Sequence, residues 1–260
     1  MRLLGTKLSD VESRLVKNAE KNRAIFPEEI QQIESGLILL RELTKITKEA
    51  SKEYPNKPNY YANHDLFARN RQLLTNAYVS LLFSAYGTNF VILRTVLENN
   101  NLMRLFNKNP KLAFWWFPQN IQKRFSKEVQ TKFSKHLKER QIYKPEFVRK
   151  KIFDTVEKET LRVEIRDFYS QLCNYTHPNY VGWKELVVQN EGVELILNVP
   201  SFSLKESEVG LGVYLFVMQG TLKGFVETFK DYLLEFASQL YTWQEKTRGL
   251  LQRRQETNKS

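Results

Sequence analysis

At 260 residues, with 42% hydrophobic and 13% aromatic side chains, the chain has the material for one large domain or two small ones. Its 10 Gly and 8 Pro are few, which disfavours a turn-rich sandwich or barrel and favours long helices. The single cysteine, Cys173, excludes an intramolecular disulfide and makes a reducing cytoplasm the expected compartment, and the net charge of +11 directs attention to polyanions.

The N-terminus has no apolar core of signal-peptide length. A first helix is predicted over 9–22, where Ser9 can cap and Val11, Leu15 and Val16 form a stripe. Pro27 suits the first turn of a second helix running to about residue 52, with Ile30, Ile33, Leu37, Leu40, Leu43 and Ile46 at helical spacing. Pro55 and Pro58 place a loop over 54–61. A third, long helix is predicted over 65–107, with a bend at Gly87. Its stretch 72–93 carries no formal charge, yet Thr75, Asn76, Ser80, Ser84, Thr88 and Asn89 make it too polar to face lipid. A buried central helix is therefore expected, and no integral membrane segment.

Pro110 and Pro118 bracket the aromatic run 112–117, read as a short helical connection. A strongly basic helix follows over 120–140, and Pro145 opens a helix or helix pair reaching Tyr175. Residues 101–165 hold 16 Lys or Arg against 7 Asp or Glu. Lys123, Arg124, Lys127, Lys132, Lys135 and Lys138 are the candidate contacts to RNA or another polyanion, although a solvated lysine-rich surface fits the same charges. The period then changes to two: segments 182–188 and 193–199 flank a Gly-containing loop and read as a β-hairpin, which must lie against helices. A last helix opens at Ser207 or Glu208 and runs to about residue 254 on Leu215, Leu222, Phe225, Phe229, Leu233, Phe236 and Leu240, with 252–260 frayed. No internal repeat or low-complexity linker interrupts the chain. The expected fold is all-α: one domain, with N-terminal helices over 1–58 and a core bundle over 59–250 around one long helix. A small hairpin after His177 completes it.

Two places offer chemistry. Arg94 and Glu98 lie four apart, and Ser80, Gly87, Arg94 and Asn101 recur every two turns. The pair is either a structural i,i+4 ion pair or part of a polar pocket between helices. His177 ends the helical run 161–175 just before Pro178, at a helix C-terminus whose partial negative charge favours the protonated imidazole. Tyr169 lies on the face leading to it, and Asn174 can set its tautomer; a packed polar cap is the alternative reading. His64, His136 and His177 are far apart and no metal-ligand spacing exists, so neither metal nor cofactor is expected. There is no phosphate-cradling Gly motif and no hydrolase elbow. Trp115 and Trp116, beside lysines, offer peripheral membrane attachment as a third reading.

The stretch Phe90-Val-Ile-Leu-Arg94-Thr-Val-Leu-Glu98-Asn-Asn-Asn-Leu-Met-Arg-Leu-Phe106, joined later by Tyr169-Ser-Gln-Leu-Cys-Asn174-Tyr-Thr-His177-Pro-Asn179, resembles a group of prokaryotic all-helical proteins with LRxxxE and YxxLxxxxHP motifs. That group is similar to the HEPN superfamily of helical bundles, whose active members are metal-independent ribonucleases of toxin and antiviral systems. The likeness spans about 65–240. It implies a cytoplasmic defence or stress protein that cuts RNA, with His177 as general acid or base and Arg94 on phosphate. Glu98 would orient Arg94, and Tyr169 and Asn174 would position substrate or imidazole. One departure is clear: active HEPN nucleases carry an Arg, four to six intervening residues and then a His on one helix. Here Arg166 precedes His177 by ten intervening residues, about 16 Å along a helix, so Arg94 must take its place. The competing expectation is a non-catalytic module, a homodimer or partner-binding bundle, in which these residues form a buried polar network.

Overall fold

The computed structural model describes residues 8–134, 187–189, 195–197 and 200–257. They form an all-α bundle of α1 (Leu8–Ile25), α2 (Pro27–Glu49), α3 (Pro58–Leu82), α4 (Tyr86–Lys108), α5 (Pro110–Trp116), α6 (Gln119–Gln122), α7 (Lys127–Ser134), α8 (Leu204–Phe229) and α9 (Ala237–Thr257). Between α7 and α8, strands β1 (Val187–Gln189) and β2 (Leu195–Leu197) pair antiparallel, with Val188 opposite Ile196. These three-residue segments do not establish the hairpin insertion expected over 182–199, whose loop and flanks lie outside the described residues.

Helix starts follow local chemistry. Proline opens α2, α3 and α5 at the first turn, where its missing N–H costs nothing. Glu28 and Glu29 then set negative charge against the positive end of α2. Ser203 caps α8, its Oγ accepting the Glu206 backbone N–H at 3.4 Å.

The predicted helix over 65–107 is in fact two helices, α3 and α4, folded back on each other. The reversal is at 83–85 rather than at Gly87, and Ser84 takes a left-handed φ of 62°. Neither Gly nor Pro marks the turn. A distant helix completes it instead: Asn22 of α1 donates to the Leu81 and Leu82 carbonyls at 3.4 and 3.0 Å, and Asn18 to Phe83 O at 3.3 Å. These amides satisfy the carbonyls left over at the end of α3. Ser80 is thereby separated from the α4 stripe that carries Gly87, Arg94 and Asn101. The left-handed serine is buried, with 3% exposure. Ser84→Gly is expected to change stability by no more than about 0.5 kcal/mol, because relief of backbone strain offsets extra freedom of the unfolded chain. Ser84→Val should cost about 2 kcal/mol, since a β-branched residue resists this conformation. Urea unfolding of both variants checks the pair.

Between α3, α4 and α8 runs a ladder of buried amides and hydroxyls. Asn70 donates to Asn100 Oδ1 at 2.9 Å and accepts from Asn99 Nδ2 at 2.7 Å. Asn100 in turn donates to Val217 O at 3.1 Å and accepts from Thr221 at 3.0 Å. Two turns away, Asn63 donates to Asn107 Oδ1 at 2.8 Å and to Thr228 Oγ1 at 2.9 Å. Around this ladder packs the apolar core, in which the Phe225 ring lies 4.8 Å from Phe67 and 5.2 Å from Phe229. On the far side of α8, α2 meets α9. Gln32 donates to Trp243 O and Thr247 Oγ1, both at 2.8 Å, and receives the Trp243 indole N–H at 3.0 Å. Gly36 lets α2 lie close to both α8 and α9, since a Cβ there would lie 2.3 Å from Met218 Sδ and 2.9 Å from Trp243 Cζ2.

Two further helices also break. The basic helix expected over 120–140 is interrupted between α6 and α7, where Phe125 is buried; beyond Ser134 it lies outside the described residues. The last helix begins at Leu204 and divides at a short 3₁₀ turn, Lys230–Tyr232. Its stripe survives the break: Leu233 and Leu240 are buried while Leu234 is 91% exposed. The expected frayed tail is helical as far as Thr257. Trp115, offered as a membrane anchor, is instead in the core at 4% exposure, with its indole N–H on Phe133 O at 3.0 Å. By length and composition Leu204–Tyr232 is apolar enough to cross a membrane, and 61% of its most apolar window is buried inside the bundle.

Candidate functional site

Helix α4 lies against α3, α5 and α8, so most of its circumference faces protein. Arg94 sits on it between Leu93 and Leu97, and only 8% of the residue is exposed. Its Nε donates to Glu98 Oε1 at 3.2 Å, one turn on, and the Glu98 side chain is 40% exposed. The pair thus runs from interior to surface, with the cation inside and the carboxylate at the rim. An exposed i,i+4 pair is worth a few tenths of a kcal/mol, whereas an arginine drawn out of water carries a desolvation cost of several. That asymmetry sets Arg94 apart from the exposed pairs Lys45–Glu42 and Arg248–Glu245.

Tyr169, Asn174 and His177 lie outside the described residues, as do Lys135 and Lys138. The other four candidates of the basic segment, Lys123, Arg124, Lys127 and Lys132, are all exposed, and among the described residues none has a carboxylate partner. Phe125 and Val129 anchor the segment in the core, so the cations project outward. Among the described residues no group of three or more His, Cys, Asp or Glu side chains is gathered to hold a metal.

One histidine can be placed. His64 of α3 meets Thr47 through Nδ1 at 2.5 Å, near the Tyr54 ring. Thr47 Oγ1 is also bonded to Thr44 O at 2.8 Å, so the hydroxyl proton can satisfy that carbonyl while the imidazole donates. Burial pushes the His64 imidazole below its ordinary value. The unfolded chain therefore takes up the proton first as pH falls, and stability should fall with it from about pH 6.5 downward. His64→Gln should flatten that part of the profile in chemical unfolding measured between about pH 7 and 5.

A second stripe of α4 shares only Asn101 with the residues that the sequence singles out. Leu97, Asn100, Asn101 and Arg104 recur at helical spacing and line a cavity of about 500 Å³ with faces of α8 and α9. Asn101 is 8% exposed, and among the described residues its amide makes no hydrogen bond. Arg104 Nε is buried and likewise without a partner. The available signal was an arginine on the seam of a helix otherwise packed on all sides. It was missed because α8 and α9, which complete the cavity, are more than a hundred residues away.

Comparison with protein-family models, with curated proteins and with solved structures finds no match to this chain.

Proposed function

We propose that the chain is a HEPN-like prokaryotic defence or stress protein acting in the cytoplasm as a metal-independent ribonuclease. The observation that supports this reading best is the sunken Arg94 oriented by Glu98 on the bundle's central helix. A guanidinium held in one orientation by a carboxylate is suited to a phosphate oxygen, because its planar donors are set before the ligand arrives. In this reading His177 removes the ribose 2′-hydroxyl proton and later returns one to the leaving oxygen. Arg94 offsets the charge that develops on the phosphate, and Tyr169 and Asn174 position the substrate or the imidazole. The test is cleavage of RNA by the full chain against Arg94 and His177 variants.

A second reading, a non-catalytic nucleic-acid-binding module, is favoured by the exposed Lys123, Arg124, Lys127 and Lys132. Cations on one segment, with Glu128 the only acidic residue in α7, suit a phosphate backbone. RNA bound but never cut by the parent chain would select this reading.

A further inference from the structure

We propose that the cavity between α4, α8 and α9 is a binding site for a nucleoside phosphate. Its lining holds three cations, Arg104, Lys223 and Arg248, against one carboxylate, Glu227. Glu227 lies 4.0 Å from Lys223 and Glu245 lies 2.6 Å from Arg248, so both of those cations at the mouth are offset. Arg104 is left as the cation that selects an anion. It adds a buried Nε that has no partner among the described residues; an acceptor from a ligand would satisfy that donor.

The volume decides what else the anion carries. A cavity of about 500 Å³ is far larger than a bare phosphate and lies within the range of small-molecule sites. Its remaining walls are of two kinds. Phe216 with Leu97 and Val226 supplies an apolar surface for a flat ring. The Asn101 amide, nine-tenths buried and uncommitted, supplies a donor and an acceptor of the kind that read a base edge, as do Gln219 and Gln244. The floor is held open by construction. Gly220 brings α8 close to α4, where an added Cβ would come within 3.1 Å of Asn100 Nδ2. Asn100 is fixed from behind by Val217 O and Thr221. The Arg104 donor, an aromatic wall and amides in one concavity fit a nucleotide, and this assignment does not depend on the ribonuclease reading.

The test is calorimetric titration of the full chain with adenosine and guanosine 5′-monophosphates, their nucleosides and inorganic phosphate. At least one monophosphate should bind saturably at one site, with its nucleoside and inorganic phosphate at least about tenfold weaker. Arg104→Gln should weaken binding about tenfold or more. Arg248→Glu should do the same without disturbing the fold, because that side chain is 57% exposed. Displacement of the nucleotide by a 5′-phosphorylated RNA tetranucleotide would assign the site to a strand end, and failure to displace would assign it to a free nucleotide. No saturable binding of either monophosphate or the tetranucleotide up to about 10 mM would overturn the proposal. So would affinities unchanged in both arginine variants. Nucleotide binding by the parent chain that is lost in Arg104→Gln and Arg248→Glu supports this site whether or not the chain cuts RNA, which keeps its outcome separate from that of the ribonuclease reading.

Discussion

Replacing Asn70 with leucine is expected to destabilise the protein by about 2–4 kcal/mol, although the new side chain is apolar and the site is fully buried. Asn70 both donates to Asn100 and accepts from Asn99. Leucine can do neither, so it strands the Asn99 amide at 5% exposure, while Asn100 Oδ1 keeps only Thr221. The cost is set by the unpaired donor rather than by the lost bond. Thermal unfolding should shift downward by about 6–12 °C for a chain of this size. The double variant Asn70→Leu with Asn99→Leu removes the stranded group and should recover at least about 1 kcal/mol relative to additivity. Strict additivity in that cycle would show that the two amides are not energetically linked.

His177→Ala is expected to lower RNA cleavage by at least about a hundredfold if the imidazole transfers the proton. Arg94→Ala should lower it by about a hundred- to a thousandfold, because a charge-stabilising donor acts where the phosphate gains charge. Lysine at 94 should not restore activity, since its point charge lacks the planar fork. Glu98→Gln should have a smaller effect, about tenfold, because Glu98 acts through Arg94. Circular dichroism reports whether each variant is folded, which matters most for Arg94, whose removal empties a buried position. A folded His177→Ala that cuts RNA at the parent rate would remove the imidazole from the mechanism. Cleavage undiminished in folded Arg94→Ala would do the same for the guanidinium.

Much of the secondary structure could be read from spacing and proline. The starts of α2 and α5 follow directly from Pro27 and Pro110, and the stripe from Leu215 to Phe229 proves buried. The turn at Ser84 could not be read, because its usual markers are absent and the groups that complete it, Asn18 and Asn22, come from a helix some sixty residues earlier. The same reason hides the amide ladder. Asn63, Asn70, Asn99 and Asn100 look like surface residues on an amphipathic plot, and only the return of α4 along α3 pairs Asn63 with Asn107 and Asn70 with Asn99 and Asn100. For the candidate site, Arg94 and Glu98 were legible as a pair at helical spacing, but the sinking of the arginine was not. Spacing fixes which residues are adjacent on a helix; burial is fixed by what packs over them.

The reversal at Ser84 also bears on the order in which the molecule assembles. The Asn70–Asn100 and Asn99–Asn70 bonds close a segment of only about thirty residues, whereas the Gln32–Trp243 and Gln32–Thr247 bonds span more than two hundred. Closing the shorter loop sacrifices less chain entropy, so the α3–α4 hairpin is expected to be formed already at the folding barrier and the docking of α9 on α2 to follow it. Destabilising changes at Asn70 should therefore slow refolding, while changes at Gln32 should leave refolding alone and speed unfolding. Stopped-flow kinetics in urea separate the two cases. A seam built from both ends of the chain would then govern how long the folded molecule lasts, and a hairpin in its first half how fast it forms.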